Sequence, residues 1–422
     1  MSLTGQVRLG TMQIDSVKDS GMSVKPLSWA AVLFLLFASA QAQEFSFFKS
    51  PQIPMRITAS QEWIYATRQY ISQNAPVVQG GDNALLAFDD LAEKYNSGYR
   101  LSLGLENDCQ RIEILFTDFP GWGTQHSGSL TTGLSFDNAV GGAWPAGSSF
   151  LDGNTLFPAL QAAATSATAT DENDGLGPDT ANGGDIVPTY RQYYRTELQD
   201  LQVNWKARSA FANIQPGIGY RNVQLDEQAG ATIAGTFRAA DVAAPDGGIS
   251  HASLIAAGLG NGGTANGFED EVGNGGLPDT LTMNQTMWTS NDLNGFQAVL
   301  DFSLLETERF HLTMTTRGGA YHNYARGRIT ETYTGVGDDT STYHRDLSDT
   351  GHNVVFIGGV GVQTSWCLNN YLRVIAGYQG TFISGVALAP EQSAGIVGTG
   401  YTVQTNGNLA VHGGTLSLEI SY

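Results

Sequence analysis

Three observations predict an all-β chain, and more narrowly a transmembrane antiparallel up-and-down β-barrel of about ten strands, with eight or twelve as the alternatives. Apolar and polar residues alternate in segment after segment. The connections between those segments take turns being short and long. The composition is rich in glycine (52 of 422 residues) and poor in charge, 14% against roughly 25% in an average soluble domain.

The alternation is clearest at the C-terminus. In 415–422 Leu416, Leu418, Ile420 and Tyr422 share one face, while Thr415, Ser417, Glu419 and Ser421 share the other. Upstream, a first strand is expected near 57–68, with Trp63 and Tyr65. Tyr99, Leu101, Leu103 and Leu105 then oppose Arg100, Ser102 and Glu106. Ile112, Ile114 and Phe116 oppose Arg111, Glu113 and Thr117. Leu201, Val203 and Trp205 oppose Asp200, Gln202, Asn204 and Lys206, and Ile214, Ile218 and Tyr220 oppose Asn213, Gln215 and Arg221. Phe296 to Leu304 alternates with Gln297, Val299, Asp301 and Ser303, and Phe310, Leu312 and Met314 alternate with His311, Thr313, Thr315 and Arg317. Val354, Phe356, Val360, Val362 and Trp366 share a face, as do Leu372, Val374, Tyr378 and Phe382 opposite Arg373, Gln379 and Thr381.

Short connections are expected at 107–110, 207–209, 306–308 and 367–370, and long loops near 70–97, 120–189, 229–291, 330–351 and 388–408. Five long and four short connections give ten strands with both termini at the short-turn end. Such asymmetry belongs to an outer-membrane barrel with short periplasmic turns and long extracellular loops. A secreted β-sandwich also alternates, but three features favour lipid. Both signs of charge sit on the polar face of nearly every strand, aromatic residues (Trp63, Tyr99, Trp205, Phe310, Trp366, Phe382, Tyr422) fall near strand ends, and the loops are long for a sandwich. The lumen-lining set expected from this reading is Arg100, Glu106, Arg111, Glu113, Asp200, Arg317, Arg373 and Glu419.

Residues 22–42 read as a secretory signal peptide: Lys25, an apolar run from Leu27 to Ala38, and small residues at Ala38, Ala40 and Ala42. Met22 is a candidate start, which makes 1–42 an extension plus signal and 43–422 a single barrel domain. No run beyond residue 45 reaches about 18 apolar residues, so no transmembrane helix is expected there. The terminal Tyr422 with Ile420, Leu418 and Leu416 resembles the assembly signal of bacterial outer-membrane proteins, which implies the β-barrel assembly machinery, lipid and lipopolysaccharide as partners. Three stretches, 217–227, 372–379 and 385–392, resemble outer-membrane barrels of planctomycete-type bacteria. The resemblance implies an outer-membrane location in a Gram-negative envelope and a porin-like shape, and it brings no catalytic residues.

With 21 Lys and Arg against 40 Asp and Glu, the net charge is −19, which argues against nucleic acid as a partner. The acidic excess concentrates in two loops, at Asp137, Asp152, Asp171, Glu172, Asp174, Asp179 and Asp185, and at Asp241, Asp246, Glu269, Asp270, Glu271 and Asp279. A solvated surface loop is the plain reading. Calcium at Asp171–Gly175 is the sharper one, although the glycine comes one position too early for an EF-hand. Two cysteines are too few for a disulfide scaffold. Cys109 and Cys367 fall at short turns four strand steps apart, farther than a disulfide reaches. The seven histidines lack zinc-site spacing, and His311 is expected in the lumen. No cofactor, no metal and no enzymatic activity are expected.

A porin-like passive channel leads the functional readings, with inward charges setting selectivity. Ten strands leave a narrow lumen, so the same charges could instead lock into a plug under a barrel that displays acidic loops for adhesion or envelope integrity. An outer-membrane hydrolase using His322, His344 or His352 near Asp338, Asp339, Asp346 and Asp349 is the third reading.

Overall fold

The computed structural model describes residues 55–70, 76–80, 83–87, 95–107, 109–129, 134–135, 175–176, 189–207, 213–237, 260–261, 279–336, 340–397 and 399–422. The signal-peptide region and the core of both acidic loops, including the Asp171–Asp174 ligands, lie outside them.

Ten strands form one antiparallel sheet: β1 (Arg56–Tyr70), β2 (Asn96–Glu106), β3 (Gln110–Ser129), β4 (Thr189–Ala207), β5 (Ile214–Phe237), β6 (Asp279–Glu306), β7 (Phe310–Val336), β8 (Thr340–Cys367), β9 (Leu372–Val386) and β10 (Gly407–Ser421). Each pairs with its neighbour in sequence, and β1 pairs with β10 from Thr58↔Ser421 to Tyr70↔Leu409, closing the ring. Closure satisfies every backbone group inside lipid, where an open edge would leave donors and acceptors unpaired. Both ends of the described chain meet at the short-turn end, where Ile57 N–H donates to the Tyr422 carbonyl at 3.0 Å.

Side-chain parity follows the pleat. Phe296, Leu300 and Leu304 on β6, and Val354, Phe356, Val360, Val362 and Trp366 on β8, stand on the outer wall and are 38–76% exposed. Gln297 and Val299 between them face inward and are buried. From Val354 to Trp366 the outer apolar stripe covers about 40 Å along the strand at ~3.3 Å per residue, or about 28 Å along the normal at a 45° tilt, which matches the hydrocarbon core. Leu416, Leu418, Ile420 and Tyr422 belong to the same outer wall, at 38–71% exposed.

The strands do not stop where that stripe stops. β6, β7 and β8 have 28, 27 and 28 residues, whereas about 9–11 suffice to cross a bilayer. They rise on one side of the ring as a tall curved wall, while β1, β9 and β10 have 15 residues each and β2 has 11. Three expected loops change accordingly. Those expected at 120–189 and 229–291 shorten to 130–188 and 238–278, because β3, β5 and β6 run on. The long loop expected at 330–351 is a correction: β7 and β8 continue through it in register, from Ile329↔Leu347 to Val336↔Thr340, and join through residues 337–339. The strict short–long alternation therefore fails at this connection. The polarity that suggested a loop is the outward face of a strand in water: Thr330, Thr332 and Thr334 point out, while Ile329, Glu331 and Tyr333 are buried inside. The connections at 71–95 and 387–406 stay close to their expected bounds, the first carrying a small hairpin of 76–80 and 83–87.

Two β-bulges aim chain into the lumen. Between Phe119 and Trp122 the register shifts, with Gly121 at φ 143°, and both rings turn inward to stack at 4.5 Å. At the end of β9 the register shifts between Ser384 and Val386, and Gly385 takes φ 87°, a left-handed conformation open to glycine. From there the chain leaves the ring and runs inside it.

Candidate functional site

The lumen is the candidate site, and it has three levels. The lowest is charged and contains all eight residues expected to line it. Arg100 donates to Glu62 at 2.9 Å and Arg221 donates twice to Asp200 at 2.9 Å. Lys206 Nζ lies 2.8 Å from Glu113 and 2.7 Å from Asp301. Arg111 sits 3.6 Å from Glu106 and 3.5 Å from Glu113, and Arg56 approaches Glu106 at 3.7 Å. Arg373 reaches Glu419 at 3.2 Å, and Arg317 donates to the neutral Gln202 at 3.2 Å. Apart from Arg317, the charges thus neutralise one another between strands of the ring, because an isolated charge removed from water is costly. His311 also faces in at this end, 3.9 Å from Glu306. Cys109 and Cys367 are free.

Above the charges an apolar layer crosses the barrel. Ile64, Phe119, Trp122, Leu198, Val223, Leu225, Leu293, Tyr321, Val355, Ile357, Ile383 and Leu409 form one packed cluster, none more than 7% exposed. Nine of the ten strands contribute to it. Trp122 adds a hydrogen bond, its indole N–H donating to the Ala66 carbonyl at 3.0 Å. Burial at this level makes the side chains a septum between the two ends.

The connection 387–406 forms the third level, folded against the inner surface of β5, β6 and β7. It holds a short 3-10 turn, Ala389–Gly395, with Val386 to Ala389 fully buried. Strand side chains hold its backbone, among them Asn291, Glu227, Asp349 and Asn353, the last donating to the Thr405 carbonyl at 3.5 Å. Asn291 accepts from Ala387 N–H and donates to its carbonyl, both at 2.8 Å, as a strand partner would. Glu227 accepts from Ala389 N–H at 3.0 Å with one oxygen; the other takes Arg68 at 2.6 Å and the Tyr194 hydroxyl at 2.5 Å. Asp349 accepts from Val403 N–H at 3.0 Å. Gln392, fully buried, ties the segment to itself by donating to the Leu388 and Gln404 carbonyls at 2.9 Å and accepting from the Tyr401 hydroxyl at 2.6 Å. The segment is a fixed part of the interior.

Higher still, outside the membrane-spanning part, Arg345 and Gln285 each donate to Glu331 at 2.7 Å. Burial pushes the Glu331 carboxyl up to about 7, against the pull of Arg345. Burial also raises the Tyr194 phenol well above its ordinary value, and the Arg328 hydrogen bond holds Asp346 below the usual carboxylate range.

Glu62, Asn291 and the Arg68–Glu227 and Arg345–Glu331 pairs were not read from the sequence. A signal existed for the last pair: once β7 and β8 are recognised as paired, Glu331 and Arg345 are register partners. Of the residues expected near the rim, Asp338 and Asp339 lie outside the described residues, and His344 lies close enough to Asp346 to act on its charge. His322 and His352 stand ring to ring on the outer wall at 5.3 Å, beside Tyr324. Asp346 is engaged by Arg328 at 2.6 Å, and Asp349 faces inward to Val403. Among the described residues no group of three or more His, Cys, Asp and Glu could hold a metal ion.

No family model matches the chain, and no curated protein matches it. Among solved structures it is similar to the outer membrane protease OmpT from Escherichia coli, at 8% identity over 89% of this chain and 99% of that one, with a TM-score of 0.33. It is also similar to a Pseudomonas aeruginosa FadL homologue (10% identity, 87% and 90% covered, TM-score 0.25). A third is the translocator domain of the autotransporter NalP from Neisseria meningitidis (10% identity, 93% and 97% covered, TM-score 0.19).

Proposed function

We propose that this chain is a bacterial outer-membrane barrel whose lumen is sealed, and that it works as a scaffold holding a tall β-wall and acidic loops outside the membrane, without enzymatic activity. The observation that carries the reading is the apolar layer with the 387–406 segment folded above it. A porin needs a continuous water path, and water does not cross a layer of packed apolar side chains. The charged level below then serves as a filling whose charges, Arg317 apart, neutralise one another. The exposed Tyr422, Ile420, Leu418 and Leu416 supply the contact expected of an assembly signal, and the resemblance to barrels of planctomycete-type bacteria supports the address. Calcium in the acidic loops belongs to the same reading as a bridge between surfaces.

Single-channel recording of protein purified from membranes tests it. The expected result is a folded, heat-modifiable barrel that never conducts. Discrete steps whose ion selectivity changes in Arg373→Ala or Glu113→Ala would restore the porin reading. Trimming residues 130–185 separates display from mere integrity: adhesion falls while heat-modifiability stays unchanged.

A further inference from the structure

We propose that the charged level of the lumen binds a small monovalent anion, of halide or formate size, on the guanidinium of Arg317. In this level Arg56, Arg100, Arg111, Lys206, Arg221 and Arg373 each have a carboxylate within 4.0 Å. Among the described residues Arg317 has none. Its partner is the neutral Gln202 at 3.2 Å, and its Nε is buried without a hydrogen bond. The nearest acids are already engaged, since Lys206 bridges Glu113 and Asp301 while Arg100 takes Glu62. One half-buried inward cation therefore has no carboxylate of its own in contact, with Glu113 and Asp301 acting on it only from farther off, and a partly desolvated charge without a close partner is costly.

Beside this cation the barrel wall is hollow. A cavity of about 60 Å³ is lined by Arg317, Arg100, Glu62, Thr315, Gln379 and Thr415, and the Glu62 carboxylate in it is already taken by Arg100 at 2.9 Å. Three of the inward positions lining it on β8 and β9 are glycines, Gly359, Gly361 and Gly377, and Gly359 is the register partner of Arg317. At Gly361 a side chain fits at ordinary contact distance and would take up part of this space. At roughly 10–15 Å³ for each water the cavity holds about four to six waters, or one halide or formate ion with the remainder. One unpaired guanidinium matches one negative charge, and a divalent anion would overcompensate it.

The test is thermal unfolding of the detergent-purified protein at constant ionic strength, with gluconate exchanged for bromide or, in a second arm, formate. The expected result is a rise in midpoint of about 2–5 °C between 1 and 200 mM of either ion, with anomalous bromide density beside Arg317 in crystals. Arg317→Gln abolishes the rise. Gly361→Ser does so without removing a charge; an added Cβ there meets Gln379 Cβ at an ordinary 3.6 Å, so this variant folds and carries the test if Arg317→Gln does not assemble. A bromide response in one arm only assigns the site to halide, and a formate response alone assigns it to a small carboxylate. A flat wild-type curve in both arms, an equal rise in both variants, or bromide density elsewhere would overturn the proposal.

Discussion

The two halves of strand β6 obey opposite rules. In the membrane-spanning half, Phe296, Leu300 and Leu304 point out and Gln297 and Asp301 point in. In the half that rises beyond it, Met283, Met287 and Leu293 point in and are fully buried, while Asn284 and Asp292 point out. The pleat runs unbroken through both. What changes is the medium on the outer side, from hydrocarbon to water, so the apolar phase moves from even to odd positions. The interior answers in kind: charges filling the lower lumen, apolar packing and a folded segment filling the upper.

The largest expected effect comes from Glu227, which joins the inward segment to the tall wall. Glu227→Ala leaves Arg68 and Ala389 N–H without this buried acceptor. Loss of one partner of a buried pair costs about 3–5 kcal/mol, and limited proteolysis should then cut within 387–406, which the parent protein resists. An unchanged digestion pattern would mean the segment is held chiefly by apolar contacts.

Next comes a paired test of the phase change itself. Val360→Arg puts a charge in the middle of the outer apolar stripe and should cost roughly 2–4 kcal/mol in refolding into lipid vesicles. Thr332→Arg, outward on the neighbouring strand beyond the stripe, should stay within about 0.5 kcal/mol. Equal costs at the two positions would erase the boundary drawn here.

The smallest effect is the pH response of the upper wall. Glu331 has a folded value of about 7 against an ordinary 4.5. Between these values the folded form keeps a proton that the unfolded form has lost, so the contribution is complete below pH 4.5 and declines as pH rises toward 7. Intrinsic-rate-corrected hydrogen exchange in β7 and β8 should therefore be faster at pH 8 than at pH 5, by at most about 3 kcal/mol in opening free energy. Glu331→Gln should flatten the profile; a slope that survives in this variant would assign the response to another group.

The strand count, the orientation of the termini and the inward parity of Arg100, Glu113, Asp200, Arg373 and Glu419 could all be read along the chain. Each depends on period two and on where the turns fall, and both are local properties. The expectation of a loop at 330–351 fails for a related reason. A strand with water outside and packed side chains inside lacks the outward apolar signal that marks a strand in lipid. Which acids meet which bases, the cavity beside Arg317, and the entry of 387–406 into the barrel depend on residues brought together across the ring. Arg68 and Glu227 are 159 positions apart in sequence, and Asn291 and Ala387 are 96 apart. Alternation determines which face a side chain occupies; only ring closure, with the bulge at Gly385, decides what it meets there.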